Sequence, residues 1–237
     1  MFDAINQLHP RHRSAEADKL FKPPEYKIIN DKVVKFTDVI VHSFAMGVAS
    51  SQELMQFLFT GIMKWVVIFA PLAAIFIITP ALNSDPPRSI ALALLLGFAA
   101  VMGMSLAAMF YVYTAGSIAM AFFSTCVLFG TMSMYGYFTK RSLESMGQFL
   151  FVGLIAVVIA SIVNIFIGSS VLTMAISAIA IVIFLGLTAY DTQRIREMIS
   201  MDGASGAAEV TGALTLYLDF INIFVNLLQL FGSKNDN

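Results

Sequence analysis

Two aspartates stand where a carboxylate is costly. Asp191 closes an uncharged run that begins at Ser145, inside the string Gly186–Ile195 (GLTAYDTQRI), and Asp219 lies within the apolar string Leu214–Phe224 (LTLYLDFINIF). A carboxylate at the centre of a bilayer costs about 3 kcal/mol or more, so acids in such segments point to proton or ion chemistry. If the helices that carry them pack side by side, the two carboxyls do not ionise independently, and the pair titrates as one unit. With one proton shared, the pair ties two helices together. With none, it is a repulsive dianion suited to a hard divalent cation such as Ca²⁺, which makes Asp191 and Asp219 the candidate metal-contacting groups. Residue types alone leave open which state would conduct. They also leave a plainer reading of Asp191, a surface carboxylate paired with Arg194 one turn later.

Asp219 belongs to a longer pattern. At about 100° per residue, Thr215, Asp219, Asn222, Asn226 and Gln229 fall within an arc of about 80°. The stripe covers about 21 Å at the helical rise of about 1.5 Å per residue, most of the hydrocarbon thickness. A polar stripe of this length must face protein or water rather than lipid, and it is read as pore-lining or as hydrogen-bonding glue between helices. Asn164 and Ser161, on a preceding segment, could face the same interior.

The elements that must position these residues follow from composition. Of 237 residues, 58% are hydrophobic and only 12% are charged, about half the charge of an average soluble domain. Polar residues to cover a soluble surface are missing, so the chain reads as a polytopic membrane protein. Residues 1–35 form a polar, cytoplasmic tail with Pro10, Pro23 and Pro24; residues 36–232 form the membrane domain; residues 233–237 form a short C-terminal tail. The runs Trp65–Ser84, Ser89–Thr139 and Ser145–Tyr190 hold no Asp, Glu, Lys or Arg. With about 20 apolar residues needed per crossing, they predict spans at about 64–82, 89–112, 117–138, 147–167 and 171–192, with a last span at about 212–231. A weaker candidate at about 36–58 contains Asp38, His42 and Glu53, and could instead lie in the interface.

Loop charge decides between six spans and seven. With seven spans and a cytoplasmic N-terminus, the basic residues of the tail are joined on the cytoplasmic side by Arg88, Lys140, Arg141, Arg194 and Arg196. Only Lys64 and Lys234 then lie on the far side. If 36–58 does not span, this separation weakens. The expected molecule is an all-α, seven-helix bundle in the inner membrane, with the N-terminus inside and the C-terminus outside. The sixth and seventh spans are joined by a short cytoplasmic loop, which lets Asp191 and Asp219 approach each other near that end.

Several function classes fit poorly. A formal net charge of −1 argues against nucleic-acid binding. The single cysteine, Cys126, allows neither an internal disulfide nor a thiolate metal cage. The first long apolar run begins beyond residue 30, unlike a signal peptide. A Schiff-base lysine is missing from the last span, His9, His12 and His42 all precede the second span, and no glycine-rich phosphate loop is found. The expected protein is non-enzymatic and uses no resident cofactor, with Ca²⁺ as a bound or transported ion. Its expected partners are the lipid bilayer and other membrane proteins.

At these strings the chain resembles the bacterial form of the Bax inhibitor-1, or transmembrane Bax inhibitor motif, family. Tyr135–Leu143 (YGYFTKRSL), Ser161–Phe166 (SIVNIF) and Lys64–Ala73 (KWVVIFAPLA) add to the likeness, which covers roughly residues 52–232. The resemblance implies a seven-helix fold around a hydrophobic central helix. It also implies a pH-sensitive Ca²⁺ leak controlled by two aspartates on the last two helices, matching Asp191 and Asp219. Eukaryotic relatives are linked to Ca²⁺ handling and suppression of cell death. Family members usually carry an arginine at the cytoplasmic end of the second span that pairs with the aspartates; here Asn83–Arg88 reads NSDPPR, so Arg88 is the nearest counter-charge, with Arg194 the other. A different class of function, a non-conducting scaffold that modulates a partner such as a membrane protease, is the alternative.

Overall fold

The computed structural model describes Gly47 and residues 51–200 and 205–235. Seven helices are found among residues 51–235: α1 (Gln52–Phe59), α2 (Met63–Asn83), α3 (Arg88–Val112), α4 (Ala115–Phe138), α5 (Glu144–Ile167), α6 (Ser170–Ser200) and α7 (Gly206–Phe231). The six expected spans from 64–82 onward each fall on one of α2 to α7. Five of these, α3 to α7, are long and apolar enough to cross a membrane, whereas the Phe69–Asn83 part of α2 is apolar but shorter. The candidate span at 36–58 lies mostly outside the described residues, as does the tail at 1–35. Its end coincides with α1, whose eight residues are stopped at Thr60 and Gly61, the latter at φ 57°.

Local chemistry sets the helix ends. Thr114 caps α4, its side chain accepting from the Ser117 N–H, and breaks the long run 89–139 where expected. Gly168 closes α5 in the left-handed region at φ 68°, a conformation glycine adopts without steric cost. Ser205 caps α7 by accepting from Ala208 N–H. Pro71 and Pro80 lie inside α2, where each withholds a backbone donor, a defect that neighbouring groups in a helical bundle can absorb.

Two helices run past the expected spans. The helix of the sixth continues beyond 192, through Arg194, Arg196 and Glu197, to Ser200. The helix of the last begins at Gly206, ahead of 212. Uncharged runs mark where a helix can enter hydrocarbon; they do not mark where its backbone hydrogen bonding stops. At about 1.5 Å per residue, α6 is far longer than the bilayer core requires. Asp191 therefore sits inside a helix, not at its frayed end.

The last helix is the hub. It packs on α6 most extensively and also on α4, α3 and α2, while α5 rests on α6. Ile223 and Leu228 are fully buried beneath it, in a core shared with Phe184, Leu187 and Phe224. Phe220 sits edge-on between Phe122 and Phe129 of α4. Beyond α7 the chain does not hang free: Thr114 N–H donates to Ser233 C=O (3.0 Å) and Asn235 N–H to Val112 C=O (2.9 Å). The short tail expected at 233–237 is thus tied over 233–235 to the α3–α4 turn.

Small residues let α4 meet α6 at backbone distance. A Cβ built on Gly136 would fall inside the Ala189 carbonyl, the close approach that small residues give helices in membranes. Replacing Gly136 by Leu is expected to force these helices apart, at about 1–3 kcal/mol for an overpacked interface. Size-exclusion profiles of detergent-solubilised protein after graded heating should show the folded peak lost at a lower temperature than for wild type.

Candidate functional site: an aspartate pair between the last two helices

The segment of α6 around Asp191 has two faces. At about 100° per residue, Thr188, Asp191 and Arg194 share one side, and Ala189, Gln193 and Arg196 lie on the opposite one. The first side meets α7. There the Asp219 carboxyl comes within hydrogen-bonding reach of both the Asp191 carboxyl and the Thr188 hydroxyl. Asp219 is 4% exposed, and among the described residues no hydrogen-bond donor reaches its buried Oδ2. Thr188 Oγ1 already donates to Phe184 C=O at 2.7 Å, and a hydroxyl has one proton to give. The buried carboxyl is therefore short of donors when ionised. A proton held between the two acids would supply one.

Arg194, exposed and one turn beyond Asp191, acts on that carboxylate through its charge. Arg88, the other expected counter-charge, does not serve the pair. Its Nη2 donates to Glu209 Oε2 at 3.0 Å, in the first turn of α7. Glu209 lies ten residues before Asp219, about 15 Å along the helix. Pro86 and Pro87 set the reason: they delay the start of α3 to Arg88, which carries the guanidinium alongside the α7 N-terminus. Gly206 leaves room for the arginine stem there, since a Cβ would lie 2.9 Å from Arg88 Cβ.

The polar stripe is mostly self-satisfied. Thr215 Oγ1 donates to Thr211 C=O (3.0 Å), and the amides of Asn222 and Asn226 donate to Leu218 and Asn222 C=O (both 2.8 Å). All three are half-buried. Gln229 is the interhelical member, its Oε1 accepting from the buried Ser177 Oγ of α6 at 3.0 Å. Asn164 lies elsewhere: its amide donates to Thr173 Oγ1 (2.7 Å) and Ser169 C=O, and its Oδ1 accepts from Ser169 N–H. It fastens the α5–α6 turn, because it stands four residues before the Gly168 cap. Its hydrogen bonds go to that turn rather than to α7.

Three polar residues around the site, Thr188, Ser177 and Gln193, were not among those expected from the sequence. Gln193, 5% exposed, donates through Nε2 to Arg141 C=O and accepts through Oε1 from Leu143 N–H, both at 2.8 Å. Around it Arg196 donates to Tyr137 C=O, and the Tyr190 ring lies against Gly147, where a Cβ would be 2.6 Å from it. The available signal was a glutamine two positions after Asp191 and so on the far side of the helix. Nothing in the sequence alone shows what that side meets.

Comparison with known proteins agrees with the strings read above. Residues 36–236 match the family described as "Inhibitor of apoptosis-promoting Bax1". The chain is similar to the Escherichia coli inner membrane protein YbhL, 40% identical over 191 residues that cover 78% of this chain and 82% of that one. It is likewise 38% identical to an uncharacterised Borreliella burgdorferi protein, over 82% of this chain and 85% of the other. An uncharacterised membrane protein of Streptococcus pyogenes is 38% identical over 70% and 72%.

The Arg88–Glu209 contact is half-exposed on the arginine side, at 39% against 15% for the glutamate. Arg88 opens α3, where a cation opposes the helix dipole, while Glu209 suits the start of α7. Arg88→Glu and Glu209→Arg are each expected to lower the thermal midpoint, and the double exchange to recover part of the loss. A coupling of up to about 1 kcal/mol is the scale for such a pair, read from a double-mutant cycle in detergent.

Proposed function

We propose, for a chain that belongs to the Bax inhibitor-1 family of multi-pass membrane proteins, a pH-controlled leak for Ca²⁺ whose gate is the Asp191–Asp219 pair. The supporting observation is the buried Asp219 carboxyl, set against a second carboxyl and lacking a donor at Oδ2. Two acids facing each other, one of them buried, have two low-cost states. With one proton between them, they form a short charge-assisted hydrogen bond that ties α6 to α7. With none, they repel, and the dianion attracts a hard cation. The tied state is the closed one, because it holds together the two helices whose separation would open a path along α7.

Ca²⁺ takes about 6–8 oxygen ligands, so two carboxylates hold it only with water completing the shell. Among the described residues no group of three or more His, Cys, Asp or Glu could hold a metal. The pair therefore acts as a point of passage rather than a resident site. Thr215, Asn222, Asn226 and Gln229 extend from it along one side of α7 and give a hydrated ion polar contacts. Seven spans complete the proposed topology, with α2 and the 36–58 segment added to the five long apolar helices. Loop charge supports a cytoplasmic N-terminus, which places the aspartates near the cytoplasmic face.

The test is Ca²⁺ efflux from proteoliposomes. Wild-type efflux is expected to rise about tenfold between about pH 5 and pH 8, as the shared proton leaves in one macroscopic step. Asp219→Asn retains a permanent N–H donor to Asp191 and should stay at the low level throughout. An unchanged profile in this variant would remove the gate. Protein that moves no ion at any pH would leave the non-conducting scaffold as the reading.

A further inference from the structure

The gate described above needs Asp191 held at a fixed rotation and height, and the other side of α6 bears the means. Gln193 stands about 160° around the helix from Asp191, facing away from α7 and toward the α4–α5 turn. Its two amide ends are both used, one donating to Arg141 C=O and one accepting from Leu143 N–H, each at 2.8 Å. Leu143 is buried, and its own carbonyl accepts from Gly147 N–H at 2.8 Å, so the docking point continues into the first turn of α5. Two close contacts at glycines flank it: Gly136 against the Ala189 backbone and Gly147 against the Tyr190 ring.

We infer that Gln193 is a positioning residue for the aspartate pair, fixing the rotation and register of α6 on the α4–α5 turn so that Asp191 is presented to Asp219. An amide is the uncharged side chain that can donate and accept in one plane at this length. Met has similar reach and neither function. Asn keeps the amide but is one methylene short of spanning both partners. A buried glutamine with both ends bonded to backbone would stabilise any helix; its particular consequence here comes from its place, two residues from Asp191 and on the opposite face. This inference rests on the proposed pairing of the carboxyls, but not on what the pair conducts.

Other charged groups near the pair are already assigned. Arg194 acts on Asp191 from the same helix, Arg88 of α3 is engaged with Glu209, and Arg196 reaches Tyr137 of α4. Glu144, Tyr190 and Glu197 line a polar cleft with Ser142, Gln193 and Arg194, outside the α6–α7 contact. None of these charges changes when Gln193 is replaced by an uncharged residue. A shift in the pair's titration would then report geometry.

The experiment follows the protonated-carboxyl infrared band of the purified full chain against pH, with Ca²⁺ efflux measured on the same preparations. In wild type two well-separated steps are expected, the upper one being loss of the shared proton. In Gln193→Met the two steps should draw together, the upper one falling by about one pH unit, as the carboxyls decouple. Gln193→Asn, which retains one of the two bonds, should shift it less and serves if the Met variant does not fold. Arg141→Lys, which keeps the backbone carbonyl and the charge, should match wild type. Folded Gln193 variants with the wild-type titration would overturn the positioning role. A shifted infrared step in protein that shows no pH-dependent efflux would uphold the role of Gln193 and remove the leak.

Discussion

A carboxyl group buried between apolar helices must be matched by a proton, a cation or a set of donors, or the helices will not stay together around it. Asp219 is such a group, and much of the bundle's construction can be read as a response to it. The helix that carries it touches four others. The helix that answers it, α6, brings Asp191 and Thr188 to the same spot. The donors in reach fall short of satisfying an ionised carboxylate, so the interface is complete only when something positive joins it. On the proposed reading a proton and a divalent cation compete for that role, and one pair of side chains would couple acidity to the packing of two helices.

The two sides of α6 are built differently. Toward α4 and α5 it is held by close contacts at Gly136 and Gly147 and by a doubly bonded glutamine. Toward α7, polar contacts among the described residues include the aspartate pair with Thr188, and Ser177 with Gln229. Thr215, Asn222 and Asn226 satisfy themselves on their own helix carbonyls. Hydrogen bonds that stay within a helix do not oppose its displacement. On the proposed reading, an interface whose polar ties include one titratable pair would change state for the energy of that pair. At the other end of α7, Ser233 and Asn235 fasten the chain to the α3–α4 turn, giving the helix a second anchor away from the acids.

Much of this was legible in the residues because charge is so scarce. Spans could be drawn between charged positions, and five of them coincide with helices long and apolar enough to cross a bilayer. Asp191 and Asp219 stood out for the same reason, and their helices do bring them together. What failed were inferences about partners. Arg88 looked like a counter-charge on grounds of position along the chain, but two prolines delay its helix and turn it to Glu209. Asn164 looked like a stripe residue because it is polar and within a span, but its distance from Gly168 makes it a turn fastener. Gln193 was passed over because a polar residue beyond the apolar run carries no burial signal of its own. Its meaning lies in a turn about fifty residues away in sequence, and only the fold joins them.

Asp191 and Asp219 are proposed to hold one proton in common. Magnetic-resonance titration of the full chain with ¹³C-labelled aspartate carboxyls, the two assigned by single Asp→Asn variants, reads this directly. Both resonances should move together through one shared step, and a separate second step should complete the loss of the remaining proton. Two independent curves, each following the ordinary carboxylic-acid range and each unaffected when the other residue is Asn, would contradict it.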